Sequence, residues 1–161
     1  MPVFTLTLTA DILDGATVKV AEPKDFPLRI KFQCTACSST SPKYIVLSQS
    51  DGKTPIPGSQ GESTYVQKCG ECKTVGTADF VAFSQGALGG EVSALELCRL
   101  ECRGIAPEGF QSGDGYTVCS TSSDLTWEGV SFLEEDTFNE YDTKTETPIE
   151  IAGLKGVWKR L

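Results

Sequence analysis

Alternating apolar and polar positions recur along most of the chain, and they predict short β-strands. The clearest run covers 4–13, where Phe, Leu and Ile alternate mainly with Thr. Further alternating or β-rich runs cover 17–20, 27–33, 44–47, 64–67, 79–83, 92–102, 116–118, 130–133, 149–151 and 157–158. Clusters of Gly, Pro, Ser and Asp separate these runs, and no segment has a long, capped helical period, although 92–102 also accommodates a helix. We therefore predict an all-β fold of the sandwich or barrel type.

The glycine-rich run at 86–90 is the strongest candidate for a boundary, and it divides the chain into halves of 1–86 and 87–161. The halves share a weak pattern at a constant offset, in which Leu6, Leu8 and Gly15 correspond to Leu95, Leu97 and Gly104. A Pro-x-x-Phe string follows in each half. Because short alternating patterns coincide easily, an ancient duplication and two unrelated amphipathic strands explain this likeness about equally well.

The composition excludes several classes of function. The 161 residues include no histidine, which rules out a Ser-His-Asp triad, a Cys-His nucleophile pair and a His-ligated catalytic zinc. The formal net charge of -8 argues against nucleic-acid binding, because such proteins usually carry a basic stripe. No apolar run has the length of a transmembrane helix, and the alternating N-terminus does not resemble a signal peptide. We expect a cytoplasmic protein, with the nucleus as the alternative, in which the seven cysteines are metal ligands or buried thiols.

Two CxxC pairs carry the clearest chemistry in the sequence: Cys34 with Cys37, and Cys69 with Cys72. A two-residue spacer lets a tight turn point both sulfurs at one ion, and two such turns supply the four thiolates of a closed structural zinc site. Gly70 is expected to ease the positive φ that such turns often require. Each pair follows a predicted strand, so the two turns are expected to face each other at one end of a sheet. In a duplicated chain, Cys119 and the residues after it would stand opposite the first pair and 152–155 opposite the second, so only the first half keeps a complete site.

Other uses of the two pairs fit the sequence less well. The segment between them, 38–68, has 31 residues, whereas a compact zinc ribbon has about 15 to 20. A thioredoxin-like redox pair needs a helix directly after the CxxC, and neither pair is followed by one. Common iron–sulfur spacings differ, while a single iron would use the same four thiolates and is disfavoured only by its availability. Structural zinc contributes an apparent ~10–16 kcal/mol in small modules, so loss of one ligand should destabilise the first half severely.

Three cysteines and an acidic segment remain. We interpret Cys98, Cys102 and Cys119 as small buried hydrophobic residues, with a second metal site as the alternative. The acidic residues near the C-terminus are interpreted as a solvated face, with docking of a basic partner as the alternative; they are Glu134, Glu135, Asp136, Glu140, Asp142, Glu146 and Glu150.

Several strings resemble the CXXC motif-containing zinc-binding protein family of eukaryotes. They are Glu101 to Pro107 with Phe110 and Gln111, Tyr65 to Cys69 with Cys72, and Tyr141, Asp142 and Lys144. The resemblance covers nearly the whole chain and implies a small intracellular protein of two tandem β-sandwich-like halves, with zinc held only in the first half by the same four cysteines. It implies no defined molecular function. One departure is that Ser38, not glycine, follows Cys37, which bears on the turn more than on ligation.

The sequence thus predicts a non-enzymatic protein with one structural Zn²⁺, acting as a monomer through an unidentified protein partner and binding neither nucleic acid nor membrane. The alternative is a thiol-based redox or metal-transfer protein that uses the CxxC pairs. A nucleic-acid-binding zinc ribbon is a further rival, which the acidic charge opposes.

Overall fold

The computed structural model describes residues 1–13 and 15–161, which fold into β-strands joined by turns and loops. The strands are β1 (Val3–Ile12), β2 (Ala16–Val20), β3 (Leu28–Cys34), β4 (Ile45–Leu47), β5 (Thr54–Pro55), β6 (Glu62–Ser63), β7 (Tyr65–Lys68), β8 (Val75–Phe83), β9 (Ala87–Gly89), β10 (Leu95–Arg103), β11 (Ile105–Gln111), β12 (Tyr116–Ser120), β13 (Thr126–Val130), β14 (Thr137–Asp142) and β15 (Thr147–Arg160). The all-β prediction is confirmed. No helix with the length and apolar character needed to cross a membrane occurs in this described part of the chain.

The strands form three main sheets around one core. Six antiparallel strands make the largest sheet, in the order β14-β15-β1-β10-β8-β7. A four-stranded sheet, β13-β12-β2-β9, and a three-stranded sheet, β11-β3-β4, complete the fold together with the short β5–β6 hairpin. Strand β3 illustrates the underlying pattern, since its alternate residues, Leu28 to Cys34, are buried while those between them are half-buried. This period of two matches the pleat of a strand with one face on the core.

The two halves of the sequence pair with each other in all three main sheets. Strand β1 pairs with β10 at the middle of the large sheet, β3 pairs with β11, and β12 pairs with β2. The two ends of the large sheet are built alike. At one end the β14–β15 hairpin is followed by the inner strand β1, and at the other the β7–β8 hairpin is followed by the inner strand β10. Duplication and the boundary at 86–87 stay predictions. Whether or not the chain was duplicated, each half supplies strands to sheets that it shares with the other half.

Some expected elements differ from those in the structure. The run at 92–102 is strand β10 and not a helix, and the predicted strand at 130–133 is wrong because the strand lies earlier, at β13. Strand β11 was not expected, since Pro107 and Gly109 interrupt its pattern; a register shift between them lets it pair with β3. The glycine-rich run at 86–90 contains β9, which pairs with β2 and is therefore part of the fold.

Candidate metal centre

The two CxxC turns meet at the ends of strands from different sheets. Cys34 is the last residue of β3, in the three-stranded sheet, and Cys69 directly follows β7, at the edge of the six-stranded sheet. The rings of Phe32 and Tyr65 stack just before the turns, with centroids 5.2 Å apart and an interplanar angle of 13°. The turns do face each other, but across two sheets instead of at one end of a single sheet.

The first turn is closed by backbone hydrogen bonds around the pair. The N–H of Cys34 donates to the carbonyl of Ser39 at 2.9 Å, and the N–H of Ser38 donates to the carbonyl of Cys34 at 2.9 Å. Ser38 takes a φ of 65°, which lies in the left-handed region that favours glycine. Serine at this position therefore carries backbone strain that glycine would not.

The second turn repeats this geometry. The N–H of Cys69 donates to the carbonyl of Thr74 at 2.9 Å, and the N–H of Lys73 donates to the carbonyl of Cys69 at 3.0 Å. Lys73 also has a φ of 65°, whereas Gly70 does not have a positive φ. The expected role of Gly70 is thus wrong, because the strained position comes after the second cysteine of the pair. The Nζ of Lys73 donates to the carbonyl of Gly70 at 3.0 Å, which holds this side chain against the second turn.

The four sulfurs form a cluster with the dimensions of a metal site. All four Sγ atoms lie within 4.8 Å of one another. The Sγ atoms of Cys34 and Cys72 are 3.6 Å apart, as are those of Cys37 and Cys69. A tetrahedron with Zn–S bonds of about 2.3 Å has S–S edges of roughly 3.8 Å. The donor set therefore fits one zinc-sized ion, and all four cysteines selected by spacing belong to it.

Two hydroxyl groups accompany the sulfurs. The Oγ of Ser39 lies 3.2 Å from the Sγ of Cys37 and 3.3 Å from the Sγ of Cys69, so it joins the two turns. The Oγ1 of Thr74 lies 3.1 Å from the Sγ of Cys72. Hydroxyls at these distances donate to thiolates and stabilise their charge. The CxxC spacing predicts neither residue, although each stands two positions after the second cysteine of its pair.

The surroundings favour the thiolate at two of the four positions. The backbone N–H of Cys72 and then the hydroxyl of Ser39 lower the pKa of Cys69 to about 6. The hydroxyl and backbone of Thr74 lower the pKa of Cys72. Backbone N–H groups also act on Cys34, but its burial and the neighbouring thiols outweigh them, and its pKa is raised. Since the thiolate is the form that binds metal, these contacts prepare both cysteines of the second turn for a metal ion.

Gly104 is bonded to the first turn and lies close to the start of β8, just after the second turn. Its carbonyl accepts a hydrogen bond of 3.1 Å from the N–H of Thr35, inside the first CxxC. Its φ is 75°, and a Cβ there would meet the carbonyl oxygen of Val75, at the start of β8, at 2.7 Å. Only glycine fits this position without strain. The sequence singled out Gly104 for its likeness to Gly15, and its position between the first turn and the start of β8 was not predicted.

The other cysteines lie away from this cluster. Cys98 and Cys102 are buried in the hydrophobic core, and burial raises the pKa of Cys102 to about 12. Cys119 is half-buried on β12. The interpretation of Cys98 and Cys102 as small core residues is confirmed, and within the described residues Cys119 is not part of a group with metal-ligand geometry.

The second half contains two similar turns without cysteine pairs. After β12, the N–H of Ser120 donates to the carbonyl of Leu125, and the N–H of Thr121 donates to the carbonyl of Gly15, both at 2.9 Å. These bonds have the spacing of those around the first CxxC. The expected counterpart of the second CxxC, 152–155, is wrong, because these residues lie inside β15. In the large sheet, the hairpin turn between β14 and β15 is the one that corresponds to the β7–β8 turn with the second CxxC.

A buried carboxylate occupies the position between these two turns. Asp142 is fully buried, although the sequence grouped it with a solvated acidic face. Its carboxylate accepts hydrogen bonds from the hydroxyls of Ser120 at 2.5 Å and Ser123 at 2.7 Å. The backbone N–H groups of Lys144 and Thr145 donate to it as well, at 2.9 and 3.2 Å. The hydrogen bond from Ser120, followed by those from Ser123 and Thr145, outweighs desolvation and lowers the pKa of Asp142.

The fold and the cluster together define an all-β protein with four cysteines arranged as a metal site. A family model described as "CXXC motif containing zinc binding protein, eukaryotic" matches residues 5–159, and the chain belongs to this family. The resemblance noted in the sequence is thereby confirmed.

Individual relatives are distant but similar in length. The chain is 26% identical over 141 residues to a "CXXC motif containing zinc binding protein" of Xenopus laevis, covering 86% of this chain and 87% of the relative. It is 26% identical over 157 residues to a "UPF0587 protein" of Dictyostelium discoideum, covering 98% and 97%. The crystal structure of C1orf123 has the same fold, with a TM-score of 0.83 and 20% identity over 99% of both chains. A hypothetical protein from Plasmodium falciparum gives a TM-score of 0.79 at 17% identity, over 99% of this chain and 100% of that one.

Proposed function

We propose that this protein binds one zinc ion through Cys34, Cys37, Cys69 and Cys72, and that the ion has a structural role. The observation that carries the proposal is the convergence of four sulfurs: all Sγ atoms lie within 4.8 Å of one another, and the Cys34–Cys72 and Cys37–Cys69 pairs are each 3.6 Å apart. Four thiolates leave no open position for a substrate or water, which is the mark of a structural site. The description of the family supports zinc over iron, which would use the same ligands.

The ion would join two sheets at this end of the fold. The ligands come in pairs from the end of β3 and from the β7–β8 turn, which belong to different sheets. A bound ion fixes these turns relative to each other and so shapes the surface around them. We propose that the protein acts through contacts of this folded surface with other proteins, and that it is not an enzyme. The lack of histidine and the closed donor set support the second statement.

Metal analysis of untagged protein, combined with one substitution, tests the zinc site. We expect one equivalent of zinc in the wild type, and its loss together with a large fall in melting temperature for Cys69→Ser. Cys119→Ser is the matched control, because Cys119 is not part of the sulfur cluster, and it should retain both zinc and stability. A melting curve that barely moves for Cys69→Ser, or a protein that purifies with no metal, would contradict the proposal.

One observation favours thiol-based redox chemistry or metal transfer as a second candidate. Cys37 and Cys72 are exposed, whereas Cys34 and Cys69 are buried, so an incoming thiol or metal acceptor has access to one cysteine of each pair. A structural ion would resist a weak chelator and protect all four thiols from alkylation in the native state. Rapid zinc loss to such a chelator, with prompt labelling of Cys37 and Cys72, would favour the second candidate.

A further inference from the structure

The six-stranded sheet ends in an open strand edge at β14. This strand pairs with β15 on one side and has no neighbouring strand on the other within the described residues. An edge of this kind offers unpaired backbone N–H and C=O groups on which another extended chain can add. Natural proteins often block such edges with bulges or proline, but β14 runs over six residues in regular register with β15.

The hydrogen-bond pattern shows which groups of β14 point outward. The N–H of Gly153 donates to the carbonyl of Asp136, so these two residues form a hydrogen-bonded pair. The carbonyl of Glu150 accepts from Leu13 on the far side of β15, so the pair of Glu150 with Asn139 is not hydrogen-bonded. Because bonding alternates along an antiparallel pair, the outward backbone groups are those of the three odd-numbered positions, namely Thr137, Asn139 and Tyr141.

The surface around this edge is strongly negative. Six exposed carboxylates lie on β14, on its hairpin partner or in the adjoining loops: Glu134, Glu135, Asp136, Glu140, Glu146 and Glu150. The nearby Lys144 is paired with Asp124 and so does not offset them. Tyr141 is 51% exposed beside them, and its ring offers a face to a cation. A second copy of this chain would bring two such surfaces together, which like-charge repulsion opposes.

We propose that β14 binds an extended, lysine- or arginine-rich segment of a partner protein, which adds to the six-stranded sheet as a further strand. The proposal rests on the proposed action through protein contacts and names where and with what chemistry the contact forms. The opposite edge, β7, is less suited, since it has four residues and ends in Lys68. Backbone hydrogen bonds would supply the docking geometry, and the carboxylates would select the basic sequence.

A peptide that alternates lysine and threonine over eight residues provides the probe, with binding followed by fluorescence anisotropy. Asn139→Pro removes one outward N–H and leaves the β14–β15 bonds intact, because position 139 is not hydrogen-bonded to β15. Asn139→Ala is the matched control that keeps this N–H. We expect Asn139→Pro to weaken binding about tenfold or more and Asn139→Ala to bind within about twofold of the wild type.

Three further measurements make the outcome decisive. The same peptide N-methylated at alternate residues should fail to bind, which tests the backbone contacts even if Asn139→Pro is poorly folded. Binding should weaken as salt rises from about 50 mM to about 500 mM, and a glutamate–threonine peptide should not bind. Equal binding to wild type and a folded Asn139→Pro, equal binding of the N-methylated peptide, or dimerisation of the protein through β14 would each overturn the proposal. Zinc content measured in parallel separates this outcome from failure of the metal site.

Discussion

Substitution of Gly104 by alanine tests whether the two CxxC turns are held in place by the backbone between them. Gly104 accepts a hydrogen bond from Thr35 in the first turn, and a Cβ on it would lie against Val75 and Gly76, just after the second. A side chain at this position would push the turns apart without altering any of the four cysteines. We therefore expect Gly104→Ala to lower both the stability of the protein and its affinity for zinc.

The magnitude follows from three contributions. A non-glycine residue at a φ of 75° costs about 1–2 kcal/mol. The new Cβ would lie 2.7 Å from the carbonyl oxygen of Val75 and 3.2 Å from the Cα of Gly76, and backbone atoms cannot rotate away as a side chain can. Relief of this clash would stretch the bond from Thr35, whose loss is worth about 0.5–1.5 kcal/mol. Together these effects predict a loss of roughly 2–4 kcal/mol in the free energy of unfolding.

Urea denaturation and zinc competition with a chromogenic chelator measure the two effects separately. Gly70→Ala is the matched control, since a Cβ there has nothing within 4 Å and its φ is not positive. We expect that control to stay within about 0.5 kcal/mol of the wild type. For Gly104→Ala we expect zinc affinity to fall by about 10- to 100-fold, as is usual when groups that support metal ligands are altered.

Two outcomes would refute this reasoning. If Gly104→Ala lost no more stability than Gly70→Ala, the contact with Val75 would not constrain the turns. If stability fell while zinc affinity stayed unchanged, the turns would hold the sulfurs in place independently of Gly104, and its role would be confined to the fold.

Two further predictions concern buried polar groups. Tyr116 is fully buried and its hydroxyl has no hydrogen-bond partner among the described residues, so Tyr116→Phe should be neutral or stabilise by up to about 1 kcal/mol in urea denaturation; a loss of more than about 1 kcal/mol would reveal a partner for the hydroxyl. The pKa of Asp142 is lowered in the folded state, principally by the hydrogen bond from Ser120, so its carboxylate stabilises the protein above the unfolded pKa of about 4 and this contribution is lost as pH falls through the folded value. Thermal melts should therefore show Asp142→Asn to be less stable than wild type at pH 7, and this difference should narrow below about pH 4. A difference that stayed constant with pH would show that the charged form of Asp142 is not the stabilising one.

Local patterns in the sequence predicted the features that depend on neighbouring residues. The strict alternation of β3 and the first run of β1 identify strands because burial on one face repeats every two residues. The CxxC spacing likewise predicts a turn that points two sulfurs the same way. These predictions needed no knowledge of which sheet each segment joins, and the all-β class and the cluster of four sulfurs followed from them.

Features that depend on distant partners could not be read in this way. Strand β11 contains Pro107 and Gly109, and its strand identity comes from pairing with β3, more than 70 residues earlier in the chain, through a shifted register. Asp142 lies in an acidic run whose composition is typical of a solvated surface. Only its contacts with Ser120 and Ser123 explain its burial. Position 104 likewise requires glycine because of a distant partner, the backbone of Val75, which lies close to it in the fold.

The two pairs of turns show two ways to stabilise one arrangement of strand ends. At the first pair, four sulfurs converge from 34, 37, 69 and 72; at the second, hydroxyl, carboxylate and amide groups converge from 120, 123, 142 and 145, with the same three-residue spacing inside each turn. A carboxylate that accepts four hydrogen bonds is satisfied by the chain itself, whereas four thiolates close together repel one another until a cation joins them. Asp142 therefore needs no external ion, whereas the proposed zinc ion would offset the charge of the four thiolates. We therefore predict that metal removal or thiol oxidation changes the shape around the two CxxC turns, while the turns around Asp142 and the adjoining β14 edge keep their structure.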